Sequence, residues 1–330
     1  MDILSSIKEK ARQARRTVVL PEGTEERSII AARRLVEESI MKVVLLGDPK
    51  EVAALAAKNG LDTGKVTVIN PPTAPDYNAF VDVLFERRKA KGMTREQAAE
   101  AMKQPLYYGA AMVHAGKADA SVAGAVNTTG NVLRAALHMI GLAPNISTVS
   151  SSFLMTIPEF QGEKDKILMF ADCAVVPNPD PEQLASIAAS TADTMVKLVG
   201  QTPKVAFLSF STKGSAEHED VDKVRKALEI FKAKHPTIEA DGELQLDAAI
   251  LPKVGAKKAP GSTVAGQANV LIFPDLDAGN IGYKLTERLA KATATGPIIQ
   301  GLALPANDLS RGCSADDIVN VAAIAVLMKG

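Results

Sequence analysis

Short β-branched and aliphatic runs alternate with stretches of helical periodicity along most of this chain, and that rhythm restricts its fold more than any other feature. TVVLPE at 17–22 precedes a helical stretch at 24–38, KVVLLG at 42–47 precedes another at 49–59, and KVTVIN follows at 65–70. The rhythm resumes with KILMFADCAVV at 166–176, KVAFLSF at 204–210, NVLIFP at 269–274 and GPIIQG at 296–301. Such alternation predicts an α/β fold with parallel strands joined by crossover helices. The clearest helix is 181–200, where Leu184, Ile187, Ala188, Thr191, Met195, Leu198 and Val199 share one face between Pro181 and Gly200. A length of 330 residues suggests two domains. Proline and glycine punctuation near Gly141 to Asn145 and Thr295 to Pro297 places them at 1–144 plus 296–330 and at 145–295.

Charge and composition exclude several functions. Thirty-eight basic residues balance 38 acidic ones, so no overall field draws the chain to nucleic acid or an anionic membrane, and any anion must be caught by a local cluster. Aromatics are 4% with no Trp, leaving few platforms for stacking single-stranded bases. The longest apolar runs are of strand length, short of the roughly 18 residues a membrane span needs. Two cysteines make no disulfide framework, and the charged start MDILSSIKEKARQARR is unlike a secretory signal, so a cytoplasmic location is expected.

There is no Walker loop, no GxGxxG after a strand, no GxSxG and no HExxH. His114, His138, His218 and His235 are scattered, without the spacing of metal ligands. What stands out is a recurring grammar of small polar and cationic residues at strand ends. SFSTKGSA, from Ser209 to Ala216, is either a backbone nest for an anion with Lys213 beside it or a solvated turn. In VAGAVNTTGNVLRAAL, Thr128 and Thr129 either help to capture an anion at a helix start or merely cap that helix, with Arg134 about two turns in. NDLSRGCSADD supplies a hydroxyl, a fixed cation and a carboxylate at Ser310, Arg311 and Asp317. There Ser314 and Asp317 also form a capping-box pattern that would occupy the carboxylate.

Together with LPEGTEER, GELQLDAAI and KKAPGSTVAGQANVLIFPDLDAGNIGYKL, these segments make the whole chain resemble the phosphate acetyltransferase (phosphotransacetylase) family. The resemblance implies a two-domain α/β fold like that of isocitrate and isopropylmalate dehydrogenases, a homodimer, and an active site in an interdomain cleft. It implies catalytic roles for Ser310, Arg311 and Asp317, the last as base, and substrate or coenzyme A binding by Arg134 and by Arg88 or its neighbour Arg87. Thr128, Thr129, Tyr283 and Lys284 are expected to line the site on the same basis. The implied substrates are coenzyme A or acetyl-CoA, acetyl phosphate and inorganic phosphate, with direct thiolate attack and no metal or other cofactor. Cys313 is expected to pack a turn rather than carry an acetyl group. Phosphate butyryltransferase is the nearest alternative, and a fold-related NAD-dependent decarboxylating dehydrogenase a more distant one.

Overall fold

The computed structural model describes residues 2–329. In chain order the first elements are α1 (Ile3–Ala14), β1 (Thr17–Leu20), α2 (Glu26–Glu37), β2 (Lys42–Leu46), α3 (Pro49–Asn59), β3 (Thr67–Ile69), α4 (Tyr77–Arg88), α5 (Arg95–Met102), α6 (Pro105–His114), β4 (Ala120–Ala123) and α7 (Thr129–Met139). Then come β5 (Ser150–Phe160), β6 (Glu163–Ala171), α8 (Pro181–Thr194), β7 (Lys204–Leu208), α9 (Glu219–Lys234), β8 (Glu239–Leu244), α10 (Leu246–Ile250), α11 (Pro252–Lys258), β9 (Val270–Ile272), α12 (Leu276–Leu289) and β10 (Thr293–Gln300). β11 (Ala306–Asp308) and α13 (Ala315–Met328) end the chain. No helix among the described residues is long and apolar enough to cross a membrane.

The chain divides into two compact units, one running to Ala143 and resuming at Leu302, the other Pro144–Gly301. In the first, five strands lie in the order β11-β4-β1-β2-β3, every neighbouring pair parallel. Val19 and Leu46 of this sheet are buried with Phe80, Leu84, Met102 and Tyr108 from α4, α5 and α6. Caps delimit the helices. Asp48 accepts from the Lys50 and Glu51 amides ahead of Pro49, and Gly60 ends α3 in the left-handed conformation at φ 68°.

The second unit has the order β10-β5-β6-β9-β7-β8 and is mixed rather than parallel throughout. β6, β9, β7 and β8 are parallel neighbours, whereas β5 runs antiparallel to both β6 and β10. β5 has no counterpart in the alternation of the sequence. Its hairpin to β6 turns at Gln161 and Gly162, both at positive φ, the twist that suits two-residue hairpins. The Gly296-Pro297 pair, read as the return to the first domain, is instead an irregularity inside β10, where the register with β5 shifts between Thr295 and Ile298. The return therefore falls at Leu302 and not at 296. α8 has a capping box at Asp180 and Gln183 with Pro181 in its first turn, and a π-helical turn at Met195–Val199 carries it to Gly200.

Candidate active site

In the first unit β2 and β3 lie on one side of β1 while β4 and β11 lie on the other, so the strand order reverses between β1 and β4. Open parallel sheets bind ligands beyond the carboxyl ends of their strands at such a point. The loop after β1 brings in Glu22, which is buried and accepts the amides of Gly124 (3.0 Å), Ala125 (2.8 Å), Val126 (3.1 Å) and Asn127 (2.9 Å). One carboxylate thus fixes the whole loop after β4. That loop ends at Thr128, whose hydroxyl caps α7 by accepting from the Asn131 amide at 3.3 Å. Thr129 follows in the first turn, its hydroxyl donating to Asp308 Oδ2 at 2.5 Å.

β11 delivers the segment of Ser310, Arg311 and Asp317 beside this loop. Arg27 of α2 ties the two together, donating to the carbonyls of Ala125, Arg311 and Cys313 at 2.8 Å each while pairing with Glu25. Ser310 is exposed and its Oγ accepts from the Gly312 amide at 3.2 Å, which turns the chain and leaves Arg311 exposed. The capping box is present: Asp317 Oδ2 accepts from the Ser314 amide and hydroxyl, each at 2.8 Å, and Ser314 Oγ accepts from the Asp317 amide at 3.2 Å. The neighbouring Asp316 is paired with Arg34. Cys313 is buried, and burial raises its thiol pKa despite the nearby Arg27 guanidinium.

A pocket of about 580 Å³ lies on the same unit, lined by Arg88, Lys91, Gly130, Arg134, His138 and neighbouring apolar side chains. Arg88 and Arg134 thus line one pocket. Arg87 has another task, donating to the carbonyls of His138 at 3.2 Å and Ile140 at 3.0 Å at the end of α7. The pocket is cationic. Burial first, then Arg88, Arg134 and Lys91, lower the pKa of His138, whose Nδ1 lies 3.0 Å from the Tyr107 hydroxyl.

Tyr283 and Lys284 belong to α12 of the second unit. The Tyr283 ring stacks on Phe153 with centroids 4.2 Å apart, and Lys284 is exposed with Nζ 5.8 Å from the Tyr283 ring centre. The SFSTKGSA turn, also in this unit, is a nest that the protein fills itself. The Glu243 carboxylate accepts from the Gly214 amide (2.8 Å), the Ser211 hydroxyl (2.9 Å) and Arg225 Nε (3.0 Å), while Lys213 pairs with Asp241. Burial would raise the Glu243 pKa, but Arg225 and the two nest donors hold it down at about 2. Among the described residues no group of three His, Cys, Asp or Glu side chains is placed to hold a metal ion.

Glu22, Arg27 and Asp308 do not stand out in the sequence, although the first two lie in LPEGTEER and the third in NDLSRGCSADD. A carboxylate just beyond the end of the TVVL run, at Glu22, is the one local sign of the first. Gly124 marks the crowding around the third: it sits at φ 116°, and a Cβ there would lie 2.5 Å from Asp308 Oδ1.

Residues 2–326 match the family model described as phosphate acetyl/butaryl transferase. A phosphate acetyltransferase of Acetivibrio thermocellus is 52% identical over 324 residues, covering 98% of this chain and 97% of its own. That of Clostridium acetobutylicum is 49% identical over 327 residues, covering 99% and 98%. The crystal structure of a phosphotransacetylase from Streptococcus pyogenes superposes with a TM-score of 0.93 at 42% identity, covering 98% of this chain and 97% of that one. With a match of this extent, the chain belongs to the phosphate acetyl/butaryl transferase family.

Proposed function

We infer that the chain catalyses reversible transfer of an acetyl group between coenzyme A and inorganic phosphate, acetyl-CoA plus phosphate giving CoA plus acetyl phosphate. The observation that carries this reading is the meeting of Arg88, Lys91 and Arg134 on one pocket beside α7. Guanidinium groups grip phosphate oxygens in pairs of hydrogen bonds, and both substrates carry phosphate. In the direction of acetyl-CoA synthesis Asp317 takes the thiol proton of CoA. The thiolate attacks the acyl carbon directly, Arg311 polarises the carbonyl, and Ser310 donates to the tetrahedral oxyanion. Thr128 and Thr129 hold phosphate oxygens at the start of α7, and Tyr283 with Lys284 contacts substrate from α12. Cys313, its thiol pKa raised, packs the turn and takes no acetyl group. These roles call on side chains alone, with neither metal nor organic cofactor.

The same proposal includes the dehydrogenase-like fold assignment, a cytoplasmic location and a homodimer. The last is supported by an apolar stripe on α12, where Ile281, Leu285 and Leu289 are exposed on one helical face. Acetyl is preferred to butyryl because the stretches from Gly242 to Leu285 and from Asn307 to Ile324 read as the acetyl version. A few methylenes are worth only about 1–3 kcal/mol in selectivity. Phosphate-dependent release of CoA from acetyl-, propionyl- and butyryl-CoA, with and without a chelator, tests these points together. Release is expected to be fastest with acetyl-CoA and unaffected by the chelator. No release from any thioester would overturn the activity, and faster release from butyryl-CoA the acyl preference.

A further inference from the structure

Asp308 has no part in the roles above, yet it is among the most enclosed polar side chains near them, only 3% exposed. One of its oxygens, Oδ2, meets the Thr129 hydroxyl at 2.5 Å, and the other, Oδ1, is buried without a hydrogen-bond partner. An ionised carboxylate in that setting forfeits the hydration of Oδ1 with little in return beyond the pull of the Leu309 amide, whereas a neutral carboxyl loses far less. Burial first, and then the Glu22 carboxylate, raise the Asp308 pKa to about 6 against the opposing pull of Thr129 and the Leu309 amide. The groups facing it are few. Glu22 comes from the loop after β1, the Thr129 hydroxyl from α7 and side-chain-less Gly124 from the end of β4, while Arg27 is engaged with Glu25 and three carbonyls.

The reaction has an unassigned proton. When the acyl carbon–oxygen bond of acetyl phosphate breaks, its electron pair stays on a phosphate oxygen, and the product is a phosphate dianion only if that oxygen gains a proton. Asp317 accounts for the proton leaving the thiol and not for the one arriving at phosphate. We propose that Asp308 supplies it through Thr129: with the carboxyl protonated on Oδ2 the 2.5 Å bond runs from Asp308 to Thr129 Oγ1 instead of the reverse, so the hydroxyl gives its own proton to the departing phosphate oxygen and takes the carboxyl proton in the same step. The carbon–sulfur bond forms, the carbon–oxygen bond breaks, and the enzyme is left with Asp308 ionised and Asp317 protonated. Exchange with solvent restores the starting state, and the reverse reaction retraces each transfer. Thr129 is the residue that touches phosphate, and Asp308 acts through it as a positioning residue. This rests on the acetyl-transfer reading.

The test follows acetyl-CoA formation from acetyl phosphate and CoA across pH. Only the protonated carboxyl can give a proton, so wild-type kcat/KM for acetyl phosphate is expected to fall as pH rises through about 6, the free-enzyme value. In kcat the limb should lie higher, since a bound phosphate dianion favours the neutral acid. Asp308→Asn keeps the size and an acceptor for Thr129, and should lose both the limb and about 100-fold in rate at pH 6. Thr129→Val should do the same, Thr129→Ser should keep the limb, and the double variant Asp308→Asn/Thr129→Val should be no slower than the slower single one. A limb that survives Asp308→Asn, or a rate within a few-fold of wild type, would sink the relay. So would a variant that merely melts earlier. Should Asp308→Asn fail to fold, Thr129→Val decides alone, because its exposed position in the first turn of α7 spares the core. Wild-type protein that makes no acetyl-CoA would overturn the functional reading itself, whereas an active wild type with an equally active Asp308→Asn overturns only the relay.

Discussion

At the start of α13 the capping box engages Oδ2 of Asp317 and leaves its other oxygen to solvent, so capping and proton abstraction do not compete for the same atom. The Ser314 donors also fix the orientation of the carboxylate, which a base needs. The two roles separate in Asp317→Asn, which keeps most of a cap's hydrogen bonding. A pure cap predicts a stability loss within about 1 kcal/mol and near-normal turnover. The base role predicts turnover slower by about 100- to 10,000-fold with little change in Tm, partly restored at higher pH as the CoA thiol ionises unaided. Steady-state rates and melting curves of the one variant give the answer. Turnover within a few-fold of wild type at neutral pH would leave Asp317 as a cap only.

Among the elements, the turn from β7 towards α9 shows how the same local grammar can serve the fold instead of the ligand. Gly214 at φ 86° and Lys213 at φ 49° aim backbone and side-chain donors at one point, and β8 places Glu243 there. The sequence carries the donors of a nest but not the identity of its anion, because β8 is separated from the turn by all of α9. The consequence is acid sensitivity. Glu243 titrates at about 2 in the fold against a usual 4.5, so its contribution is fully present above about pH 4.5 and is lost as pH falls towards 2. The shift is worth on the order of 3 kcal/mol, of which about 2 kcal/mol is gone by pH 3. Urea unfolding of wild type and Glu243→Gln at about pH 5.5 and pH 3 should show the wild type losing more stability between the two, by roughly that 2 kcal/mol. Equal losses would mean that other carboxylates govern acid unfolding.

On the scale of the whole molecule, the strands read from alternation were those with crossover helices beside them, such as β1, β2, β7 and β9. β5 escaped because its antiparallel hairpin follows no such rhythm, and β11 because three residues carry no pattern. For the candidate site, Arg88 and Arg134 were picked out through family motifs and line one pocket, whereas Glu22 and Asp308 are placed by burial and long-range partners that no local pattern encodes. α12 presents a further whole-molecule question. Its inner face is closely packed: a Cβ on Gly279 would lie 2.0 Å from the Asp172 carbonyl oxygen, and Gly282 sits against the Phe273 ring. Its outer face bears Ile281 at 56%, Leu285 at 53% and Leu289 at 79% exposure, one turn apart along the helix. A two-fold axis across this stripe would set each copy's leucines against the other's, and burying each side chain contributes about 1.5–3 kcal/mol. The protein is therefore expected to be a dimer by light scattering at micromolar concentration. Leu285→Glu/Leu289→Glu should dissociate it, since two buried like charges on each side would face each other without partners. Both positions are exposed within the single chain, so each monomer should still melt cooperatively. A monomeric wild type, or a double variant that stays dimeric, would remove α12 from the interface.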